Sequence, residues 1–190
     1  MGLSADRWEA TDGYPTLKPD STLQVLDKSL EVDDLAVDGT ASSPYLISSA
    51  SELFAAIKSK DIKNHFKLTN DIYVNDISDF ANWTDNSINL NTWDSVDGFA
   101  GHLDGNCFTI YGLYIVPKTK LNDSYATVAF ISSTAADSTI TNINFKNAYI
   151  SGASYDGSVF LSTVVGSPNN NNGISGITVS DSKFIPDRNG

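Results

Sequence analysis

Along most of this chain apolar and polar positions alternate in short stretches, and each stretch ends at glycine, asparagine or aspartate. The clearest case is Phe99-Ala-Gly-His-Leu-Asp-Gly-Asn-Cys-Phe-Thr-Ile-Tyr-Gly-Leu-Tyr-Ile115. Its apolar side chains fall at Phe99, Leu103, Phe108, Ile110, Leu113 and Ile115, with Gly101, Gly105 and Gly112 between them. Spacings of two predict strands with one buried face, and Asp104-Gly105-Asn106 predicts a structural tight turn. Strand, bend and strand with no room for a helix is how a chain winds into a β-solenoid. A single helix is predicted near residues 50–60. Ser49-Ala-Ser-Glu52 has the form of a capping box, Leu53, Phe54 and Ile57 supply one apolar face, and Lys58 and Lys60 fall in the closing turn.

Three segments share the form apolar-x-x-apolar-x-apolar: Ile110-Tyr-Gly-Leu-Tyr-Ile115, Ile140-Thr-Asn-Ile-Asn-Phe145 and Ile174-Ser-Gly-Ile-Thr-Val179. Aligned on their first residues, the copies start 30 and then 34 residues apart. The second and third also match at Asn147 with Asp181 and at Ile150 with Phe184. Val128-Ala-Phe130 and Val159-Phe-Leu161 give a further pair, 31 residues apart. Such a period with several short strands marks a solenoid, because one coil cannot bury its own apolar face. Coils stacked at about 4.8 Å let each strand hydrogen-bond to its counterpart above and below. The expected fold class is all-β, a parallel β-helix with one short N-terminal capping helix. Residues 37–190 form the domain. Residues 1–36 are the tail of a preceding module or connector strands, with Glu31-Val-Asp-Asp-Leu-Ala-Val-Asp38 read as an acidic edge strand.

At these residues the chain resembles bacterial surface proteins that carry GLUG-type repeats in a pectin-lyase-like right-handed parallel β-helix. The resemblance runs through Gly39-Thr-Ala-Ser-Ser-Pro-Tyr-Leu-Ile47, the capped helix and Phe66-Lys-Leu-Thr-Asn-Asp-Ile72. It continues through Trp93 and Phe99–Asn106 to Ile110-Tyr-Gly-Leu113. Ser158-Val-Phe-Leu-Ser-Thr-Val-Val-Gly166 with Gly173-Ile-Ser-Gly-Ile-Thr-Val179 is similar to a degraded copy of the repeat. Cys107 and Phe108 depart from the small residue and histidine usual at that turn. The resemblance implies an adhesin-like module of a long exported protein. It also implies an extracellular or cell-surface location, with neighbouring modules of the same chain as partners.

Charge narrows the partners further. Twelve Lys and Arg against 23 Asp and Glu give a net charge of −11, which repels nucleic acid and anionic membranes. No apolar run is long enough to span a bilayer, so no membrane insertion is expected. Cys107 is the one cysteine, which leaves no intrachain disulfide or thiolate metal site. No metal site or cofactor is called for; calcium is admissible, though no motif for it is present. No catalytic residue is assigned, and the reading leans away from an enzyme. Asp97, Asp104, Asp123, Asp137 and Asp156 are the carboxylates a hydrolase of this fold would use, but Asp104 is read as a turn residue and the others as isolated loop residues rather than a catalytic pair.

Trp83, Trp93, Asp85, Asn86 and Asn89 in the polar excursion 75–98 have the composition of a glycan platform, indole faces for sugar rings and polar groups for hydroxyls. The competing role for the two tryptophans is packing. Lys63, His65 and Lys67 form a small basic cluster, either a docking point for an anionic glycan or a solvated edge. The expected function is a non-catalytic surface module for adhesion or rigid spacing. Its partner would be a host or plant-cell-wall glycan, or a protein on another cell surface. The alternative is a carbohydrate-binding or polysaccharide-degrading β-helix.

Overall fold

The computed structural model describes residues 8–9, 16–17, 25–35, 38–117, 125–152, 158–161, 164–167 and 173–186. Among the described residues the chain is mostly β, with parallel sheets and one α-helix. A five-stranded parallel sheet runs in the order Tyr45–Ile47, Lys60–Leu68, Ala100–Asp104, Thr139–Thr141, Gly173–Ser175. A four-stranded one takes Ile72–Tyr73, Thr109–Tyr111, Asn144–Lys146 and Thr178–Ser180. A three-stranded one takes Tyr114–Ile115, Tyr149–Ser151 and Lys183–Ile185. Two further parallel pairs join Tyr125–Val128 to Ser158–Leu161 and Ile131–Ser133 to Val165–Ser167.

The register brings the alternating apolar residues into lines. Phe66, Leu103, Ile140 and Ile174 are successive partners across the first sheet. Ile72, Ile110, Phe145 and Val179 align across the second, and Ile115, Ile150 and Phe184 across the third. Every member but the last of each line is at most 2% exposed, whereas Ile174, Val179 and Phe184 are 39%, 41% and 43% exposed. Burial of these lines in one shared cluster is the main stabilising term. It fades where, among the described residues, no further strand covers the line.

This register corrects part of the repeat alignment. Ile140 does pair with Ile174, and Ile150 with Phe184. Ile110, however, pairs with Phe145, and the counterpart of Ile140 is Leu103. The cause lies in one turn. Asn142 and Gly176 each make the bend between the first and second sheets with a single left-handed residue (φ 55° and 65°). In the earlier copy that bend is two residues longer and holds Asn106 and Cys107, both left-handed (φ 51° and 64°). Leu161 likewise pairs with Val128 and Phe160 with Thr127, a register of 33 rather than 31. At the next bend Gly112, Asn147 and Asp181 share one left-handed conformation (φ 69°, 54° and 48°), so the match of Asn147 with Asp181 holds. The side-chain bond across that bend is weak: the Asn147 Nδ2 donates to the Asp181 carbonyl at 3.5 Å.

The Gly105–Phe108 turn, closed by the Phe108 N–H donating to the Gly105 carbonyl (2.8 Å), has positive φ at both central residues. That geometry favours Asn followed by Gly, and Cys107 occupies the glycine position at a steric cost. Cys107→Gly is expected to raise stability by about 0.5–1 kcal/mol, read as a higher urea midpoint with an unchanged slope.

The helix, Ala50–Ile57, starts at the expected capping box. The Glu52 N–H donates to Ser49 Oγ (3.2 Å), and the Ser49 N–H donates to Glu52 Oε2 (3.0 Å). Its buried face, Leu53, Phe54, Ala56 and Ile57, joins the main core. Lys58 closes it as the C-cap residue, its N–H donating to the Ala55 carbonyl (3.1 Å), but neither lysine places its ammonium in the last turn as expected. The Lys58 ammonium reaches across to the Leu30 carbonyl (2.7 Å) and Glu31 Oε1 (2.6 Å), and Lys60 opens a strand that begins well before Phe66. The described part of the acidic stretch, residues 31–35 and 38, is not an edge strand either. Val32–Asp34 form a 3₁₀ turn because the Asp34 carboxylate caps the Glu31 N–H (3.0 Å). Residues 36–37, where the domain boundary was drawn, lie outside the described residues.

Candidate functional site

The outward side chains of the five-stranded sheet fall into rows, because alternation sends every second residue away from the core. His65, His102 and Thr139 are partners in one row; Lys67, Asp104 and Thr141 are partners in the next. Together with Ala41, Pro44 and Asn142 they border an open groove of about 450 Å³. Phe66, between His65 and Lys67, turns the other way into the core, where it stacks on Tyr45 with 5.4 Å between ring centroids.

The chain's two histidines stack on one another in this groove, 4.3 Å between centroids and 24° between planes. His102 Nδ1 lies 3.0 Å from Thr139 Oγ1. Burial, and secondarily the charge of the neighbouring His102, lowers the pKa of His65 below its ordinary value. Asp104 keeps the turn role expected of it, since its Oδ1 accepts from the Asn106 N–H (2.9 Å). It also accepts from Asn142 Nδ2 (3.2 Å) and faces the groove. Imidazole, ammonium, carboxylate, hydroxyl and amide thus converge on one concave surface.

The residues of the proposed glycan platform are not gathered around an open ring face. Trp93 is 1% exposed, donates from Nε1 to the Phe130 carbonyl (3.1 Å) and packs between Phe54 and Phe130 at 5.1 Å from each. Trp83 is 5% exposed, set edge-on against Phe80 (5.1 Å) and Tyr114 (5.8 Å). Both indoles take the packing role. Asp85 Oδ1 accepts from Tyr149 Oη (2.8 Å). Burial, and next the hydrogen bond to Asp85, raises the Tyr149 pKa far above its ordinary value. Asn86 and Asn89 are exposed, and Asn89 is left-handed (φ 64°).

The excursion is clamped to the sheets by polar groups with no sequence signature. Asn75, fully buried, donates from Nδ2 to the Asn91 and Gly112 carbonyls (2.9 Å each) and accepts at Oδ1 from the Asn91 N–H (2.6 Å). The Lys183 ammonium donates to the Ala81 (2.6 Å) and Phe80 (3.0 Å) carbonyls. Asn75→Ala leaves buried partners unpaired and is expected to cost about 2 kcal/mol, measurable by urea unfolding.

Of the candidate acids, Asp97 accepts from Ser133 Oγ and Asp137 sits in a left-handed turn (φ 64°); Asp123 and Asp156 lie outside the described residues. Among the described residues no three His, Cys, Asp or Glu side chains are grouped to hold a metal ion, and no helix is long and apolar enough to cross a membrane.

No protein-family model matches the chain, and no solved structure matches it significantly. Over 118 residues, 61% of its length, the chain is 32% identical to halomucin of Haloquadratum walsbyi. It spans about 1% of that protein's length, so the likeness is to a short part of a very long polypeptide.

Proposed function

We infer that residues 37–190 are a right-handed parallel β-helix module of an exported surface protein, serving adhesion or rigid spacing without catalysis. The observation that carries this reading is the register. Three lines of core residues run unbroken through parallel sheets, each strand bonded to one met roughly thirty-five positions later. Strands repeated in that way make a stiff rod rather than a hinged body. Similarity to a part of halomucin supports an exported setting, and the surplus of acid favours a soluble, well-hydrated surface. The apolar end formed by Ile174, Val179 and Phe184 is the kind of surface a neighbouring module covers.

The groove favours binding over cleavage. Among the described residues it holds a single carboxylate, Asp104, already bonded to the turn it closes, and so does not present there the two acids that glycoside hydrolysis needs. The test is incubation with uronate-rich and neutral polysaccharides, following reducing ends and unsaturated products. No release above the protein-free control is expected. Release that is saturable in substrate and lost on Asp104→Asn would overturn the non-catalytic reading.

A further inference from the structure

We propose that the histidine groove on the outer face of the five-stranded sheet captures an anionic glycan, a saccharide bearing carboxylate or sulfate groups, and holds it more tightly as pH falls. This extends the adhesion reading to a ligand class and rests on that reading only in treating the site as one that binds without cleaving.

The charge pattern is the first argument. On a molecule of net charge −11, the groove lining brings His65, Lys67 and His102 together against one carboxylate among the described residues, Asp104. Lys67 and Asp104 are register partners on adjacent strands and largely offset one another. What remains is set by the histidines. Both of the chain's imidazoles stand in one row, stacked 4.3 Å apart, although they are 37 positions apart in sequence. Two imidazolium rings at that distance repel, so the free protein resists full protonation. An anion resting against both edges removes the repulsion and makes protonation and binding mutually favourable.

The surroundings leave little else to decide the charge. On the strand of His65 the titratable groups are Lys60, Asp61, Lys63 and Lys67; the next strand adds His102 and Asp104. The Thr139–Thr141 strand contributes only hydroxyls, and the Tyr45–Ile47 side contributes Pro44 and Leu46. Asp38 precedes Gly39, whose carbonyl accepts the His65 backbone N–H (2.8 Å).

Size and hydrogen bonding make the second argument. A space of about 450 Å³ suits a short saccharide. Thr139, Thr141 and Asn142 along the far wall offer hydroxyl and amide partners for sugar hydroxyls while the histidine row takes the acid group. Histidine is the side chain whose charge changes near neutrality, so affinity rises as pH falls from neutrality into the acid range. The depressed pKa of His65 in the free protein has the matching sign: its protonated form is disfavoured until an anion is present.

The test is calorimetric titration of the 190-residue chain with a uronate trisaccharide, a sulfated trisaccharide and a neutral trisaccharide, near pH 7.5 and near pH 5.5. At least one anionic sugar is expected to bind about 10-fold or more tightly at the lower pH, with the neutral sugar weak at both. The two anionic arms separate carboxylate from sulfate recognition. His65→Gln and His102→Gln are each expected to weaken binding at low pH and flatten its pH dependence. Lys67→Gln should weaken it at both pH values, while Lys146→Gln on the neighbouring sheet changes nothing. Ring-proton titration of the wild-type histidines by NMR gives a readout free of folding effects: the anion should raise the imidazole pKa values. The proposal is overturned by binding indifferent to pH, by equal binding of the neutral sugar, by no binding at all, or by histidines whose titration the anion leaves unmoved. Loss of binding leaves the module reading intact; cleavage of a bound sugar would instead sink that reading and leave capture standing.

Discussion

Phe145→Ala unfolds this chain far more easily than the same truncation at Val179, although the two residues are direct register partners. Phe145 is 1% exposed and lies in the middle of its line, with Ile110 on one side and Val179 on the other. Its ring sits edge-on to Phe130 (5.4 Å), Phe130 stacks on Trp93 (5.1 Å), and Trp93 meets Phe54 of the helix (5.1 Å). Truncation therefore opens a cavity at the end of an aromatic chain that ties the helix to the sheets. The expected loss is about 3–5 kcal/mol, or a fall in melting temperature of roughly 10 °C for a chain of this size. Val179, 41% exposed, has few atoms on its open side, and Val179→Ala should cost less than about 1 kcal/mol. Paired thermal melts decide it. Equal losses at the two positions would mean that burial does not grade along the line as the register requires.

Gly105→Ala is expected to cost about 3 kcal/mol, at the upper end of what overpacking does. A Cβ at this position meets Ile143 Cγ1 at 2.2 Å, the Asn142 carbonyl oxygen at 2.4 Å and Ile143 Cα at 2.8 Å. Two of those three atoms are backbone and belong to the next copy of the turn. The Gly105 N–H also donates to the Thr141 carbonyl at 2.7 Å, so the strands cannot move apart to make room without breaking that bond. Gly173→Ala is the control. Its Cβ meets only the Thr139 side chain, at 3.1 and 3.7 Å, so the effect should stay within about 1 kcal/mol of neutral and can be stabilising. Urea midpoints of the two variants provide the comparison. A Gly105→Ala chain as stable as the wild type would show that the turn of one copy does not lie against the turn of the next.

The local signals in the sequence were those with a short-range physical cause. Ser49 and Glu52 bond to each other within one turn of helix, so their spacing identifies the helix start without knowledge of the rest. The Asp104-Gly105-Asn106 bend is equally self-contained. The match of Ile140 with Ile174 succeeded because the two copies have turns of equal length. The match of Ile110 failed because the Asn106–Cys107 bend carries two more residues than its counterpart at Asn142, which slid the alignment by one strand.

The groove was legible only in fragments. His65 and Lys67 stood out as part of a basic cluster, but His102 had no visible connection to them until strand pairing set the rings together. The tryptophans misled for a related reason. Composition marks Trp83 and Trp93 as suited to sugars, whereas contacts distant in sequence, to Tyr114 and Phe130, decide that both are buried. Asn75 and Lys183, which fasten the excursion, give no pattern at all. Their partners are backbone carbonyls, which every residue supplies.

The central claim is that the isoleucine-bearing strands lie side by side and parallel, each copy on the next. Nuclear Overhauser spectra of the isotope-labelled 20.4 kDa chain address it directly. Parallel pairing predicts Hα-to-amide contacts from Phe145 toward the strands of both Ile110 and Val179, and from Ile140 toward those of Leu103 and Ile174, without short Hα–Hα contacts between them. Strong Hα–Hα cross-peaks between any of these pairs, or an absence of contacts from Phe145 to both neighbours, would contradict the account.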